Sequence, residues 1–325
     1  MVKNILITGG AGYIGSHTAE ILIKNKKKVF IVDDLSTGSK KLILKKTKFF
    51  KTSILNKKKL KNIIVKNNID SIIHLAAVLS VGESEKKPKK YNKINVEGTK
   101  ILLESMKNTK VKNLIFSSTC TVYKDGFTQV TEKTKLSPKS VYGITKLKCE
   151  KIIKNFCKKY KINFGILRYF NVAGASLSGK IGQINNKGDQ LFKNLSVESQ
   201  KKKPIFRIYG TKYKTKDGTC IRDYMHVSDI SDIHYKVLLK INNYNTSIVL
   251  NCGYGKGISV SDAIKSFSKY ANKNLKIIKL PNRKGDMIKA ISNNSKLKKF
   301  IKWKPKFNNL NKIVKSCITW ERKIN

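Results

Sequence analysis

Asn4-Ile5-Leu6-Ile7-Thr8-Gly9-Gly10-Ala11-Gly12-Tyr13-Ile14-Gly15-Ser16-His17 is the stretch that decides the fold of this 325-residue chain. An apolar run meets a glycine-rich turn and then an amphipathic run to about residue 24, the pattern of strand, turn and helix. The turn reads both as Gly10-x-Gly12-x-x-Gly15 and as Gly9-x-x-Gly12-x-x-Gly15. Glycines let a backbone turn tightly and approach a pyrophosphate, and a helix start offers unpaired N–H groups with positive partial charge. Working outward, Val29-Phe30-Ile31-Val32-Asp33 ends a second apolar run on an acid placed to accept hydrogen bonds from an adenosine ribose. A purely structural glycine turn is the competing reading. The strand before the turn, the helix after it and the acid at the next strand end favour a dinucleotide.

Beyond Asp33 the chain alternates. A loop (34–38), a short strand (48–51), a helical run (57–67), a buried strand (69–75), a small apolar segment (76–84), a helical run (89–108) and a strand (113–118) follow in turn. Strands alternating with helices at this spacing predict an α/β fold, a Rossmann-type doubly wound parallel sheet, and 325 residues leave room for a smaller companion domain. Ligands of such sheets lie beyond the carboxyl ends of the strands, where Gly9–Gly15, Asp33, Ala76-Ala77 and Ser117-Ser118-Thr119 fall. His74, inside a strand, reads as a hydrogen-bonded core histidine.

Tyr142-Gly143-Ile144-Thr145-Lys146 opens a helix after Ser137-Pro138. Residues four apart share a helix face, so phenol and ammonium can enter one cleft. A free tyrosine with a pKa near ~10 is a poor base at neutral pH. A neighbouring Lys⁺ and a cationic nicotinamide are each expected to favour the phenolate. Thr119 supplies a hydroxyl for the reacting substrate oxygen. A Tyr/Lys pair alone is common by chance; joined to the glycine turn and the Ser117–Thr119 strand end it becomes specific.

Bulk composition sets further bounds. Lys and Arg number 69 against 20 Asp and Glu, a formal charge of +49. Only five of the cations are arginine (168, 207, 222, 283 and 322); the other 64 are lysines spread along the whole chain. Such a coat predicts salt-sensitive, nonspecific attraction to nucleic acid, while the scarcity of Arg argues against base or phosphate readout as the main task. The six cysteines form no C-x-x-C and do not pair with the four histidines, so no metal site and no disulfide framework is expected; a reducing cytoplasm fits best. No apolar run is long enough to span a membrane, and no secretory signal is visible.

The chain resembles the extended short-chain dehydrogenase/reductases, and within them the NAD-dependent epimerase/dehydratases acting on nucleotide sugars. The resemblance covers nearly the whole length. It is carried by residues 8–18, Val81-Gly82-Glu83-Ser84, Asn95-Val96-Glu97-Gly98-Thr99, Tyr142-x-x-x-Lys146, and Arg168-Tyr169-Phe170-Asn171-Val172-Ala173-Gly174-Ala175. Asp217-Gly218-Thr219-Cys220-Ile221-Arg222-Asp223-Tyr224-Met225-His226-Val227 and Arg283-Lys284-Gly285-Asp286 carry the rest. It implies 4-epimerisation of a UDP-hexose, glucose and galactose, through a 4-keto sugar, with Thr119, Tyr142 and Lys146 catalytic and Tyr142 as the acid/base. It implies a tightly held NAD, regenerated in each turnover, bound by Gly9, Gly12, Tyr13, Ile14, Gly15, Asp33, Asp34, Leu35, Ser53, Ile54, Leu75, Ala76, Ala77, Asn95, Ser117, Tyr142, Lys146 and Phe170. The UDP-sugar falls to Thr119, Tyr142, Asn171, Gln190, Leu191, Tyr209, Arg222, Arg283, Asp286 and Ala290. Arg222 and Arg283 are the implied diphosphate clamp and Asp286 the ribose ligand, whereas Arg168, on a strand, reads as a structural ion pair.

The organisation that the resemblance implies is 1–173 mainly NAD-binding and 174–325 mainly a smaller α/β substrate-binding domain, with segments near 210–250 returning to the first domain. A homodimer through helices near 90–107 and 139–158 follows from the family's habit alone. Departures bear on affinity: Ser53 replaces an Asp beside the adenine, Leu79 a lysine, and Gln190 an Asn or His. Ala290 stands where UDP-glucose-only members often carry tyrosine, which opens the pocket to N-acetylhexosamines; pentoses also remain open. Cys120-Thr121-Val122, with no acid after Thr119, argues against a 4,6-dehydratase. A noncatalytic nucleotide sensor or nucleic-acid binder on the same fold is the alternative of another class, and the intact Thr119, Tyr142 and Lys146 argue against it.

Overall fold

The computed structural model describes residues 2–127, 129–184, 190–282 and 287–324. In chain order its first elements are β1 (Asn4–Thr8), α1 (Tyr13–Lys24), β2 (Lys28–Asp33), β3 (Thr47–Lys51), α2 (Lys57–Lys66), β4 (Ser71–His74), α3 (Val81–Lys86), α4 (Pro88–Tyr91) and α5 (Gly98–Met106). Next come β5 (Asn113–Thr119), β6 (Gln129–Val130), α6 (Val141–Lys159), β7 (Asn163–Tyr169), β8 (Asn171–Ala173), α7 (Leu191–Glu198), β9 (Ile205–Tyr209), β10 (Ile221–Arg222) and β11 (Tyr224–His226). The last are α8 (Val227–Asn243), β12 (Ile248–Cys252), β13 (Ile258–Ser259), α9 (Val260–Ala271), β14 (Lys276–Leu280), β15 (Lys289–Ser292), α10 (Ser295–Ile301) and α11 (Leu310–Ile324).

The chain divides into two compact units. The first comprises 1–123, 136–169 and 231–250, the second 124–135, 170–230 and 251–325. The first is built on a seven-stranded sheet in the order β12-β7-β5-β4-β1-β2-β3, parallel at the pairings from β7 to β3. The chain enters at β1, runs out to β3, and returns to β4 on the other side. The order therefore reverses between β1 and β4, and a crevice opens at their carboxyl ends. One core cluster unites sheet residues Leu6, Ile72, Leu114 and Ile166 with Leu60 and Ile64 of α2, Leu102 and Leu103 of α5, and Cys149 and Ile153 of α6. These strands are buried on both faces, which is why they read as near-continuous apolar runs.

The second unit carries a four-stranded sheet, β13-β10-β15-β6, and the two-stranded pairs β11-β8 and β14-β9. Phe192 of α7 packs on Tyr224 and Phe267, with ring centroids 4.4 and 5.5 Å away. A buried Lys193–Glu321 pair at 2.7 Å ties α7 to α11. No helix among the described residues is long and apolar enough to cross a membrane.

Two segments differ from their sequence expectation. The run expected as one helix over 89–108 begins at Pro88 and carries a π-helical turn, Asn92–Glu97, before α5. The Asn95 carbonyl, which accepts a backbone N–H at the end of this turn, also accepts from the Thr99 hydroxyl at 2.6 Å and the Cys149 thiol at 3.3 Å. The segment 76–84, read only as small and apolar, runs into α3, which is capped by the Ser80 hydroxyl on the Glu83 N–H. Gly82 masks it in sequence, because glycine weakens a short helix that tertiary contacts nonetheless hold.

Candidate active site

At the carboxyl end of β1 the glycines fit the group they were expected to hold. Gly9 has φ +74°, a left-handed conformation, and a Cβ there would lie 2.6 Å from the Ala76 nitrogen. The main chain after β4 thus packs directly on the turn. A Cβ on Gly15 would meet the Gly9 carbonyl at 2.2 Å, so α1 starts against that turn. Gly12 is different. It caps α1 in extended conformation with no side chain bonded to the first-turn N–H groups, and its Cβ would meet only the Gly9 oxygen, at 3.2 Å. The open side of Gly12 at a helix N-terminus has the space and the unpaired N–H groups that a pyrophosphate needs.

Asp33 borders this turn. Its carboxylate accepts from the Ala11 N–H at 3.0 Å and the Leu35 N–H at 2.8 Å, with a lone pair on each oxygen left for a ribose diol. Burial raises its pKa, against the two backbone bonds. Leu35 holds φ +64° to present its N–H to Asp33, and Asp34 accepts from the Ser36 N–H at 2.9 Å. Tyr13 offers its carbonyl to Ser16 and His17 rather than to a ligand; Ile14 follows it in the first turn of α1. Leu75 donates its N–H to the Thr8 carbonyl at 3.0 Å, and Ala76 and Ala77 are half-buried after β4. Ser53 accepts from the Leu55 N–H at 3.3 Å. The Ile54 side chain lies in the core, which leaves its main chain as the group it can offer an adenine.

The catalytic candidates meet where β5 ends against the first turns of α6. Three side chains tie down the N-terminus of α6: Ser140 takes the Gly143 N–H, Ser84 the Tyr142 N–H and Glu85 the Val141 N–H, at 3.1, 3.1 and 2.9 Å. Tyr142 is buried between Val78 and Tyr91, whose ring meets it edge-on at 6.5 Å. Lys146 is 2% exposed; its ammonium donates to the Ser117 carbonyl at 2.8 Å and lies 4.8 Å over the Phe116 ring. Thr119 accepts from the Thr121 N–H at 3.2 Å.

Burial works against the phenolate. Burial raises the Tyr142 phenol above its ordinary value, with hydrogen bonding from Thr119 pulling the other way. The depression falls on Lys146, whose pKa burial lowers to about 8. For both groups burial, which disfavours the charged form, is the largest cause. His74 lies between the Thr8 and Thr99 hydroxyls at 2.7 and 3.0 Å, a fully satisfied core residue whose pKa burial lowers to about 3. Asn95, expected at the cofactor, is also spent within the protein. Its amide donates to the Val78 carbonyl and the Thr145 hydroxyl at 3.2 Å each, and its oxygen accepts from the Val78 N–H at 2.9 Å. One lone pair of Oδ1 is left for a ligand.

In the second unit, Arg222 and Ala290 are register partners across β10 and β15. Arg222 donates to its neighbour carbonyl Ile221 at 3.1 Å. The next residue, Asp223, accepts from the N–H groups of Tyr254, Gly255 and Ser292 and from the Ser292 hydroxyl, at 2.6 to 3.2 Å. That buried carboxylate pins the strand end bearing Arg222. Phe170 and Asn171 lead into β8, where the Asn171 N–H bonds the Asp223 carbonyl at 3.0 Å. Tyr209 ends β9 and is exposed. Gln190 caps α7, receives Gln183 at 2.7 Å, and precedes Leu191. Arg283 and Asp286 lie outside the described residues.

Arg168 forms the ion pair its strand position suggested, with Glu150. Glu150 itself had no place in the sequence reading. Its signal was available: it stands four residues after Lys146, which stands four after Tyr142, all on one face of α6.

The NAD dependent epimerase/dehydratase family matches residues 5–253. The chain belongs to this family. Membership makes it an NAD-dependent enzyme, and its full-length relatives place it among the isomerases. A UDP-glucose 4-epimerase of Lactobacillus helveticus is 36% identical over 98% of this chain and 97% of its own. The crystal structure of a UDP-glucose-4-epimerase from Stenotrophomonas maltophila, with bound NAD and formylated UDP-arabinopyranose, matches with a TM-score of 0.95 and 30% identity over 99% of this chain and 98% of that one. A UDP-Glc/GlcNAc 4-epimerase from Campylobacter jejuni matches at 0.86, with 37% identity and 99% of both chains covered.

Proposed function

We propose that this family member inverts C4 of a UDP-hexose, interconverting UDP-glucose and UDP-galactose, with Tyr142 as the acid/base. The observation that carries the reading is that Thr119, Tyr142 and Lys146 come together at the end of β5, which β4 alone separates from the strand that ends on the glycine turn. Gly12, Asp33 and the N-terminus of α1 are the groups to hold the NAD pyrophosphate and adenosine ribose. When bound, NAD would supply the acceptor and donor for the hydride of sugar C4 and a positive charge near the Tyr142 phenol. Tyr142 takes the proton of the sugar 4-hydroxyl and later gives it back. Thr119 holds that hydroxyl in line. Lys146 spends one N–H on Ser117 and has two left, enough to hold the nicotinamide ribose and to stabilise the phenolate. Arg222, with Arg283 and Asp286, is the proposed grip on the UDP end, which leaves the hexose loose enough to present its other face.

Purified protein given UDP-galactose without added NAD tests this. UDP-glucose is the expected product, and Tyr142→Phe reduces kcat by about 10²–10⁴-fold, the range of general acid/base catalysis. Salt-sensitive RNA binding with no such conversion overturns the reading.

Ala290 supports a broader substrate range. It is buried beside Arg222 in the register, so the small side chain adjoins the proposed diphosphate grip. Room at that point suits an N-acetyl group at sugar C2, and UDP-N-acetylglucosamine is expected to turn over alongside UDP-glucose. No turnover of the amino sugar by an enzyme active on UDP-glucose removes this part.

A further inference from the structure

Behind the catalytic groups lies a buried cluster that the chemistry just described does not use. Glu150, fully buried on the third turn of α6, accepts from the Ser118 hydroxyl at 2.5 Å and from Arg168 Nε and Nη2 at 2.9 and 2.6 Å. Arg168 also donates from Nη1 to the Tyr123 hydroxyl at 2.9 Å, its guanidinium 4.9 Å from that ring. Ser118 and Arg168 are register partners on β5 and β7, so one carboxylate gathers two strand ends. One turn earlier Lys146 holds the carbonyl of Ser117, and one turn before that Tyr142 interacts with Thr119. Three consecutive residues of β5 thus face three residues of α6 spaced four apart.

We propose that Glu150 is a positioning residue of the reaction: it locks the ends of β5 and β7 to α6, and so holds Thr119 and the Ser117 carbonyl in register with Tyr142 and Lys146. The proposal rests on the roles given above to Thr119, Tyr142 and Lys146. A bidentate, fully desolvated carboxylate is suited to this, because its geometry is fixed and each lost bond strands a buried partner. It has an electrical part as well. The titratable groups that act on the Lys146 ammonium are Cys149 and Glu150 on α6 and the neutral His74 on β4, with Arg168 of β7 beyond Glu150 and Tyr142 one turn before Lys146 on the helix. Among them Glu150 is the carboxylate that favours the charged amine.

Three variants test this. Ser118→Ala removes one bond to Glu150 and leaves the ion pair whole. It is expected to lower kcat about tenfold with KM unchanged, as a misplaced catalytic group does. Glu150→Gln is expected to lower kcat further and, in cofactor-free protein, to move the titration midpoint of the Lys146 side chain down by about one pH unit. That midpoint is read by NMR of labelled lysine, with the signal assigned through Lys146→Arg. Because the single variant strands Arg168, the double variant Glu150→Gln/Arg168→Met accompanies it and removes both charges together. An unchanged kcat in Ser118→Ala, together with an unmoved Lys146 midpoint in Glu150→Gln or, where that variant does not fold, an unchanged kcat in the double variant, overturns the proposal. If neither Glu150 variant folds, an unchanged Ser118→Ala alone overturns it. The titration needs no turnover, so it separates failure here from failure of the epimerase reading, which the wild-type assay reports by itself.

Discussion

Gly12 and Gly15 are three residues apart in one turn, yet the same added methyl is predicted to do opposite things at each. At Gly15 a Cβ would lie 2.2 Å from the Gly9 carbonyl oxygen and 2.7 Å from the Gly10 Cα, both main-chain atoms. An ordinary contact needs more than 3.4 Å, so α1 must back away from the turn by roughly 1 Å. Overpacking of this kind costs about 1–3 kcal/mol. At Gly12 the nearest neighbour is the same oxygen at 3.2 Å, a fit that yields within a few tenths of an ångström, and φ −85° with ψ 176° is open to alanine. Lost N-cap preference and reduced unfolded-state entropy nearly cancel there, for a net change within about 1 kcal/mol. The methyl then fills the space through which the helix N-terminus faces an anion, so cofactor affinity is expected to fall at least about tenfold. The assay is paired: unfolding of cofactor-free protein in urea, and NAD retained per chain after gel filtration. Gly15→Ala should lose stability, and Gly12→Ala should keep its stability and lose NAD. Full NAD retention by a stable Gly12→Ala protein refutes the placing of the pyrophosphate on that side of the turn.

Lys146 is held to about pKa 8 by burial, so its ammonium is present below that pH and lost above it. With Lys146 as an obligatory cation, kcat should decline on the alkaline side near pH 8, and Lys146→Arg should lack that limb because a guanidinium stays protonated; an identical limb in both proteins refutes the assignment. His74 is depressed to about 3, so between that value and the ordinary 6.5 the unfolded chain binds the extra proton. Stability that His74 contributes is whole above pH 6.5 and shrinks as pH falls, by about 1.4 kcal/mol per unit, or roughly 2 kcal/mol at pH 5; a variant His74→Gln should show a shallower acid loss by urea titration. Ala290→Tyr should abolish turnover of UDP-N-acetylglucosamine while sparing UDP-glucose within about tenfold; equal loss of both substrates argues against a gate at this position.

How legible these features were in the sequence follows from how local they are. The glycine turn, Asp33 and the Tyr142/Lys146 spacing are each set by a few consecutive residues whose geometry is dictated by backbone sterics and helical periodicity. The parallel doubly wound sheet was legible because strands buried on both faces leave unbroken apolar runs. What escaped is non-local or offsets a local penalty. The helix α3 contains Gly82 in six residues and owes its place to Ser84 and Glu85 reaching the N-terminus of α6, 58 and 56 residues later. The π-helical turn at Asn92–Glu97 has no composition of its own and contains a carbonyl that meets Cys149, 54 residues on. The rise in the Tyr142 pKa depends on burial against residues distant in the chain, Val78 and Tyr91, which no spacing reveals. Glu150 is the instructive case, because its periodicity was visible and its partner was not. On a lysine-coated chain with 20 acidic residues, a carboxylate in register with a catalytic pair invites the question of what it neutralises. The answer, Arg168 on β7, had already been read as half of an ion pair. Joining a buried arginine awaiting an acid to a helix-face acid awaiting a cation would have found the brace from sequence, since β7 directly follows α6 and right-handed α/β connections return that strand beneath the helix.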